Sequence, residues 1–135
     1  MQIKEIMTEK IISVDANITI FDACKKFKEN KIGCLLVNDG DDLVGIVTER
    51  DIIKRTICEE RDSKNTLIKD IMSTDIKTIE PHEKVENALR IFKEHNIKKL
   101  PVVTNDRIVG IVTITDIAYT RPGINKFVEQ WKSEY

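Results

Sequence analysis

A threonine followed three residues later by an aspartate occurs twice in the chain, each time directly after an apolar stretch. The two pairs are Thr48 with Asp51 and Thr113 with Asp116. This spacing is typical of a helix N-terminus, where the hydroxyl and the carboxylate each accept a backbone N–H. The same two groups can also grip the vicinal hydroxyls of a sugar, and a helix N-terminus favours an anion. The residues therefore allow two interpretations, a helix cap alone or a cap that also contacts a ligand.

Both pairs belong to an internal repeat with a spacing of 65 residues. A shift of 65 aligns residues 3–52 with residues 68–117 without a gap and with 20 identities. The matched stretches include Gly45-Ile46-Val47-Thr48 with Gly110-Ile111-Val112-Thr113, and Ile6-Met7-Thr8 with Ile71-Met72-Ser73. A repeat of this size indicates a supersecondary unit that cannot bury its apolar face alone.

The first half of each repeat predicts a short strand followed by a helix. The β-branched stretches 10–14 and 75–79 favour the strand. Apolar residues at i, i+3, i+4 and i+7 then predict a helix with one apolar face. These residues are Ile20, Ala23, Cys24 and Phe27, repeated as Val85, Ala88, Leu89 and Phe92. Thr19 with Asp22 predicts a capping box for the first helix, whereas Lys84 takes the place of Thr19 in the second repeat.

The second half of each repeat predicts a hairpin and a further helix. Two short apolar runs flank the turn-forming residues 38–42 in the first repeat and 104–107 in the second. Pro101 should lie at an edge or at a strand start, because proline cannot donate to a ladder. The pattern becomes helical again after Asp51 and after Asp116. Each repeat is therefore predicted as strand, helix, strand, strand, helix, a mixed α+β (α/β) class.

The repeat boundaries predict domains at 1–60 and 61–120, followed by an amphipathic helix at 121–135. Arg121-Pro122-Gly123 should end the preceding helix. The new apolar stripe consists of Ile124, Phe127, Val128 and Trp131. We expect this stripe to pack on the chain's own core or against a partner subunit, because its polar face of mixed charge does not suit a membrane.

The ordered set of motifs, present twice at constant spacing, resembles the CBS domain, the small module named for cystathionine β-synthase. The tandem form is often called a Bateman module, and the resemblance covers about residues 1–120. It rests on the two Ile-Met-Thr/Ser openings, on Leu100-Pro101-Val102-Val103 and on the two Gly-Ile-Val-Thr-x-x-Asp stretches. It implies a stand-alone pair of tandem CBS domains related by a pseudo-twofold axis, packed through their sheets, with two clefts between them.

The resemblance also implies a function. Members of the family bind adenine nucleotides or S-adenosylmethionine-type ligands in these clefts, and two-domain members commonly pair into homodimers. The chain is thus expected to be a regulatory protein that senses AMP, ADP, ATP or S-adenosylmethionine, needs no other cofactor and passes its state to a partner protein. Carried over residue by residue, the ligand-binding positions are Ser13, Thr48, Arg50, Asp51, Thr78, Lys99, Pro101, Thr113, Thr115 and Asp116.

The resemblance assigns each of these positions a role. The two motif aspartates would contact ribose, and the motif threonines ribose or phosphate, with Arg50 and Thr115 beside them. Ser13 and Thr78, on the first strands, would meet the adenine. A basic residue before the Leu-Pro-Val strand often reaches a phosphate in the family, and Lys99 supplies one in the second repeat.

The first repeat departs from the family pattern. It has Gly33-Cys34 in place of the basic residue and Leu36 in place of the proline. The two clefts are therefore expected to be unequal, with phosphate held better beside Lys99, unless Arg50 compensates from the other repeat.

Composition and motifs disfavour two other functions, single-stranded nucleic-acid binding and catalysis. The 22 basic and 23 acidic residues, with only 4 Phe, 2 Tyr and 1 Trp, disfavour single-stranded nucleic-acid binding, which needs a basic groove and stacking platforms. That function and a purely structural or interaction role stay open as alternatives. No nucleophile with a base and no GxxxxGK loop occurs, which disfavours an enzyme.

Localisation and metal binding are constrained by the same sequence. The three cysteines form no CxxC pair, and the two histidines are too few to complete a zinc site. We therefore expect reduced thiols and no metal. The charged N-terminus does not resemble a secretory signal, and no apolar run is long enough to span a membrane, so we expect a cytoplasmic protein without a membrane partner.

Overall fold

The computed structural model describes residues 1–120, which fall into two compact units. The continuous unit is Ile12–Ile76, and the composite unit joins Met1–Ile11 to the chain from Lys77 onward. These units divide the chain differently from the repeats, since the first eleven residues group with the second repeat. The helix predicted at 121–135 lies outside the described residues.

The continuous unit contains a three-stranded sheet and follows the predicted order of elements. Its elements are β1 (Ser13–Asp15), α1 (Ile20–Asn30), β2 (Cys34–Asp39), β3 (Asp42–Thr48), α2 (Glu49–Ile52), a π-helix (Ile53–Ile57) and a 3₁₀ turn (Ile68–Asp70). In the sheet, β1 pairs parallel with β2, and β2 pairs antiparallel with β3. The predicted hairpin is confirmed, and the first strand begins at Ser13 rather than at Lys10.

The composite unit repeats the hairpin and both helices but has a shorter first strand. Its elements are a 3₁₀ turn (Ile3–Glu5), α3 (Val85–His95), β4 (Lys99–Thr104), β5 (Arg107–Thr113) and α4 (Ile114–Thr120). The strand predicted at 75–79 is reduced to one parallel bridge, between Ile79 and Val102. Asn105 and Asp106 both have positive φ, at 50° and 65°, which is the conformation of a type I′ hairpin turn.

Two prolines explain why this strand is short. In the continuous unit the Ala16 N–H donates to Asn38 O at 2.8 Å and extends the parallel ladder, and Leu36 pairs with β1 further along. The shift of 65 places Pro81 at the position of Ala16 and Pro101 at that of Leu36. Neither proline has an N–H to donate, so the ladder cannot extend on either side of the bridge.

Pro101 lies on β4, an edge strand of the two-stranded sheet as predicted, but inside the strand and not at its start. It is the third residue of β4, which pairs with β5 on one side. On the other side the Ile79 N–H donates to Pro101 O at 3.1 Å, and the Val103 N–H donates to Ile79 O at 2.9 Å. An interior position is tolerated because the missing N–H faces the shortened bridge.

Each unit encloses its own apolar core. In the continuous unit the core is Val14, Ala16, Ile20, Ala23, Phe27, Leu35, Val37, Val47, Ile52, Ile68 and Ile71. In the composite unit it is Ile3, Ile79, Val85, Ala88, Phe92, Leu100, Val102, Val112, Ile114 and Ile117. The predicted helix stripes supply much of both cores, and Ile3 and Ile68 are fully buried. The opening residues of each repeat are therefore core residues of the other unit.

The opening residues also cap the long helices. The Val85 N–H donates to Met1 O at 3.1 Å, and the Ile20 N–H donates to Thr66 O at 2.9 Å. Thr19 accepts from the Asp22 N–H at 3.2 Å as predicted, whereas Lys84 provides no side-chain cap. No helix within residues 1–120 is long and apolar enough to cross a membrane.

Candidate functional site

The threonine of each repeated motif ends a hairpin strand, and a helix begins at the next residue. The Thr48 N–H donates to Asp51 Oδ2 at 2.9 Å, and the Asp51 N–H donates to Thr48 Oγ1 at 3.1 Å. In the composite unit, Thr113 and Asp116 make the same two bonds at the same distances. The predicted helix cap is confirmed in both units.

The caps leave a small set of polar atoms available. Each aspartate keeps its Oδ1 oxygen outside the cap, and each threonine keeps its hydroxyl hydrogen. The first amide after each threonine is occupied, since the Glu49 N–H donates to Gly33 O at 3.1 Å and the Ile114 N–H donates to Lys98 O at 3.0 Å. Each motif therefore offers a carboxylate oxygen and a hydroxyl, rather than the open row of N–H groups that a helix N-terminus can present to an anion.

The residue directly across the hairpin from each motif threonine differs between the units. Lys99 pairs with Thr113, whereas Cys34 pairs with Thr48. Directly opposite residues in an antiparallel pair have Cβ atoms about 5 Å apart. The ammonium group of Lys99, on an exposed residue, thus has the motif within reach, while the continuous unit has a thiol at this position.

Ser13 projects from the same face of the sheet as Thr48 but from a different strand. It pairs with Leu36 on β2, two residues from Cys34, which in turn pairs with Thr48 on β3. The exposed Ser13 hydroxyl accepts a hydrogen bond from Asn38 Nδ2 at 2.9 Å. The structure thus places Ser13 and Thr48 on the two outer strands, with β2 between them.

The remaining predicted positions are arranged around these groups without bonding to them. Thr78 is exposed and precedes the Ile79 bridge, next to the buried Pro101. Arg50 and Thr115 are the second residues of α2 and α4, and both are exposed. Within residues 1–120, Arg50 does not pair with the motif carboxylate of its own unit.

Arg55 is the cation that does pair with the motif, and the sequence interpretation missed it. Its Nη2 lies 3.7 Å from Asp51 Oδ1, and its Nη1 donates to Ile71 O at 2.7 Å and to Ser73 Oγ at 3.2 Å. The acid–base spacing of four residues from Asp51 is a helical ion-pair signal that could have revealed this contact. The shift of 65 places Thr120 at the position of Arg55, and in the described part of the chain no cation pairs with Asp116.

Metal and thiol chemistry find little support in the described residues. Among residues 1–120, no group of three or more His, Cys, Asp or Glu side chains could hold a metal ion. All three cysteines are thiols outside any disulfide. Burial raises the pKa of the Cys24 thiol, which disfavours the reactive thiolate.

The duplicated hairpin, the cap and the Ile-Met-Thr/Ser stretch at the start of each repeat correspond to a known family. The family model described as CBS domain matches residues 3–57 and again residues 68–122. The chain belongs to the CBS-domain family. It carries two CBS domains in tandem, and CBS pairs are generally regulatory rather than catalytic.

Relatives of known sequence or structure are other CBS-domain proteins. The CBS domain-containing protein YhcV of Bacillus subtilis is 34% identical over 116 residues, covering 86% of this chain and 82% of its own. Hypoxic response protein 1 of Mycobacterium tuberculosis is 28% identical over 120 residues, 88% of this chain and 84% of its own. The crystal structure of Hypoxic Response Protein I with two coordinated zinc ions aligns with a TM-score of 0.82 over 90% of this chain and 100% of that one.

One of the structural neighbours is a hexamer. The hexameric CBS-CP12 protein from bloom-forming cyanobacteria is 28% identical and aligns with a TM-score of 0.73, covering 99% of this chain and 83% of that one. Zinc and the hexamer are properties of those two proteins. The likeness shows that the pair of CBS domains folds here as in its relatives.

Proposed function

We propose that this CBS pair is a regulatory, non-catalytic module that binds an adenosine-containing metabolite of the AMP, ADP, ATP or S-adenosylmethionine type. The observation that carries the proposal is the fixed Thr–Asp pair at the end of the hairpin in both units. A carboxylate oxygen and a hydroxyl held together by reciprocal bonds suit the cis-hydroxyls of a ribose, and little side-chain entropy is lost on binding.

The two motifs differ in the residue paired across the hairpin, a lysine in one unit and a cysteine in the other, which supports unequal preference for phosphate. Lys99 lies across the hairpin from Thr113, so the composite unit combines a carboxylate that pairs with no cation among residues 1–120 with an ammonium group for phosphate. In the continuous unit the residue across from Thr48 is Cys34, and Arg55 is already engaged with Asp51 and the opening residues. We propose that the site with Lys99 binds the phosphorylated ligand more tightly.

A thermal-shift panel tests the proposal. AMP, ADP, ATP and S-adenosylmethionine are each added at millimolar concentration, with adenosine included to isolate the phosphate and 2′,3′-dideoxyadenosine to isolate the ribose hydroxyls. A ligand present at about 100 times its Kd stabilises the folded state by about 2.7 kcal/mol. We expect at least one nucleotide to raise the Tm, AMP to act at lower concentration than adenosine, and the dideoxy compound to have no effect.

The panel also separates this function from its alternatives. If none of the four adenosyl compounds changes the Tm, the proposal is wrong and a structural or interaction role is favoured. If an oligonucleotide binds more tightly than AMP and loses affinity steeply with salt, the single-stranded nucleic-acid function is favoured instead.

We also propose that the CBS pair self-associates as a homodimer, an inference supported by the hexameric neighbour. Several large apolar side chains of the described residues are exposed, among them Ile53, Ile57 and Tyr119 at 54%, 68% and 87%. Sedimentation equilibrium at micromolar concentration should give twice the chain mass of 15.5 kDa. A single species at 15.5 kDa, the mass of one chain, would contradict the proposed homodimer.

A further inference from the structure

The guanidinium of Arg55 joins two parts of the continuous unit that are distant in sequence. One side approaches Asp51 Oδ1, at 3.7 Å. The other side donates to Ile71 O at 2.7 Å and to Ser73 Oγ at 3.2 Å. Residues Ile71–Ser73, here called the opening motif, belong by sequence to the second repeat. Arg55 thus connects the candidate ribose carboxylate of one repeat with the opening motif of the other.

The backbone that presents Arg55 is unusual. Residues Ile53–Ile57 form a π-helix, in which the Cys58 N–H donates to Ile53 O at 2.9 Å. Within this segment Thr56 is 2% exposed, and its hydroxyl has no hydrogen-bond partner among residues 1–120. A π-turn widens the helix by one residue and is frequent at functional sites. The segment therefore departs from regular helix where Arg55 meets its three partners.

The Oδ1 oxygen of Asp51 is the point at which a ligand and Arg55 meet. The Oδ2 oxygen already accepts the Thr48 N–H at 2.9 Å, so Oδ1 is the oxygen that the cap leaves fully open to a ribose hydroxyl. A carboxylate oxygen accepts two hydrogen bonds, so the hydroxyl and Arg55 can share it. Coupling between two such contacts is reciprocal, and a ligand that orders the carboxylate also orders Arg55.

The composite unit provides an internal comparison. Thr120 stands at the position of Arg55, and its hydroxyl donates to Ile117 O at 2.8 Å. The equivalent opening residue, Thr8, still pairs with β5, since its N–H donates to Ile111 O at 2.8 Å. The pairing of Thr8 with β5 therefore forms without an arginine at this position.

We propose that Arg55 is a positioning residue that couples Asp51 to the opening motif, so that a ligand hydroxyl on Asp51 tightens the pairing of Ser73 with Ile46. The coupling rests on the geometry, and its use as a ligand signal rests on the proposed function. The two sites then differ in role, because Asp51 is connected to the opening motif through Arg55, whereas among residues 1–120 no cation connects Asp116 to Thr8.

Amide hydrogen exchange, measured by NMR without ligand, tests the coupling. The reporter is the Ser73 N–H, which donates to Ile46 O at 2.9 Å. We expect Asp51→Asn and Arg55→Gln each to speed its exchange about two- to five-fold, as for a partly exposed ion pair. The double variant should exchange no faster than the faster single variant, because both substitutions break one connection.

Asp116→Asn is the matched control, since it makes the same chemical change in a cap that pairs with no arginine among residues 1–120. It should leave the exchange of the Thr8 N–H unchanged. The coupling is overturned if Asp51→Asn leaves Ser73 unchanged, if its effect is fully additive with Arg55→Gln, or if Asp116→Asn speeds Thr8 to the same extent.

Addition of AMP tests whether ligand binding at Asp51 is transmitted to the opening motif. We expect AMP to slow exchange of the Ser73 N–H in the natural protein. In Arg55→Gln the factor by which AMP slows this exchange should be at least about two-fold smaller. Calorimetry should confirm that the variant still binds AMP. Equal slowing in both proteins would contradict the coupling. Absence of binding heat in both would contradict the proposed function, and the ligand-free exchange data would still decide the role of Arg55.

Discussion

The motif aspartates use their two carboxylate oxygens differently. Oδ2 of Asp51 and of Asp116 accepts the N–H of the motif threonine at 2.9 Å, while Oδ1 stays outside the cap. The sequence left a cap and a ligand contact as alternatives. The geometry makes them compatible, because the cap fixes the carboxylate and leaves one oxygen for a ligand. The cap could be predicted because capping is local in sequence.

Arg55 illustrates what residue types and spacing did not reveal. Its carboxylate partner is four residues away, but its other two partners lie 16 and 18 residues along the chain. Only the fold brings Ile71 and Ser73 beside the guanidinium. A function shared between a local ion pair and two distant acceptors has no periodic signature in the sequence.

Substitution of Asp116 separates its structural role from its proposed binding role. Asp116→Ala removes the acceptor of the Thr113 N–H and should lower the free energy of unfolding by about 1 kcal/mol, the usual cost of losing a cap. Asp116→Asn keeps an acceptor oxygen and should be nearly as stable as the natural protein. Urea denaturation measures both, and a loss above about 3 kcal/mol in the asparagine variant would show a structural role larger than a cap.

At the scale of elements, each hairpin depends on a close contact between a glycine and the opening methionine. A Cβ on Gly110 would lie 2.8 Å from Met7 Sδ and 3.0 Å from Thr8 O. On Gly45 it would overlap Met72 Sδ. The recurring glycine and methionine of the two repeats are thus two sides of one contact, which the sequence displayed only as separate identities.

Gly110→Ala should therefore displace the opening residues from β5. We expect a loss of about 1–3 kcal/mol in the free energy of unfolding, as for overpacking in a core. Gly33→Ala is the control, since a Cβ there meets nothing within 4 Å, and its effect should stay within about 0.5 kcal/mol. Chemical denaturation compares the two, and equal stabilities would show that the Met7 contact is not restrictive.

Most helices and strands could be predicted from local sequence patterns, whereas the exceptions depend on which strands pair. The helix stripes and both hairpins were predicted by periodicity and turn residues, which act within a few positions. The strand at 75–79 was expected from its β-branched residues but shrank to one bridge. The strand is short because Pro81 and Pro101 have no N–H to donate to the ladder. This effect can be predicted only when the partner strand is known.

At the scale of the whole molecule, the repeats exchange their opening residues. Ile68 and Ile71 complete the core of the continuous unit, and Ile3 completes that of the composite unit. Nothing local could predict this exchange, because an apolar Ile-x-x-Ile-Met stretch can be buried in either unit. It also accounts for the duplication, since the first repeat lacks part of its own core.

Fragments of the chain test this exchange. Residues 12–76 contain a complete core, whereas residues 1–65 lack Ile68, Ile71 and Met72 and carry Ile3 without its partners. We expect fragment 12–76 to unfold cooperatively by circular dichroism and fragment 1–65, cut by repeat boundaries, to show no cooperative transition. Chains of this length are marginally stable, so both are compared in the same stabilising buffer. The opposite ranking would contradict the exchange.

We propose that the fixed Thr–Asp pairs bind the ribose of an adenosine-containing metabolite, and calorimetric titration of AMP tests this role. The titration compares the natural protein with Asp116→Asn, once thermal unfolding has shown that the two proteins are equally stable. We predict saturable binding by the natural protein and at least about ten-fold weaker binding at one site in the variant, or about 1.4 kcal/mol. Equal affinity of the two proteins, or no binding heat from AMP, ADP, ATP and S-adenosylmethionine alike, would contradict the claim.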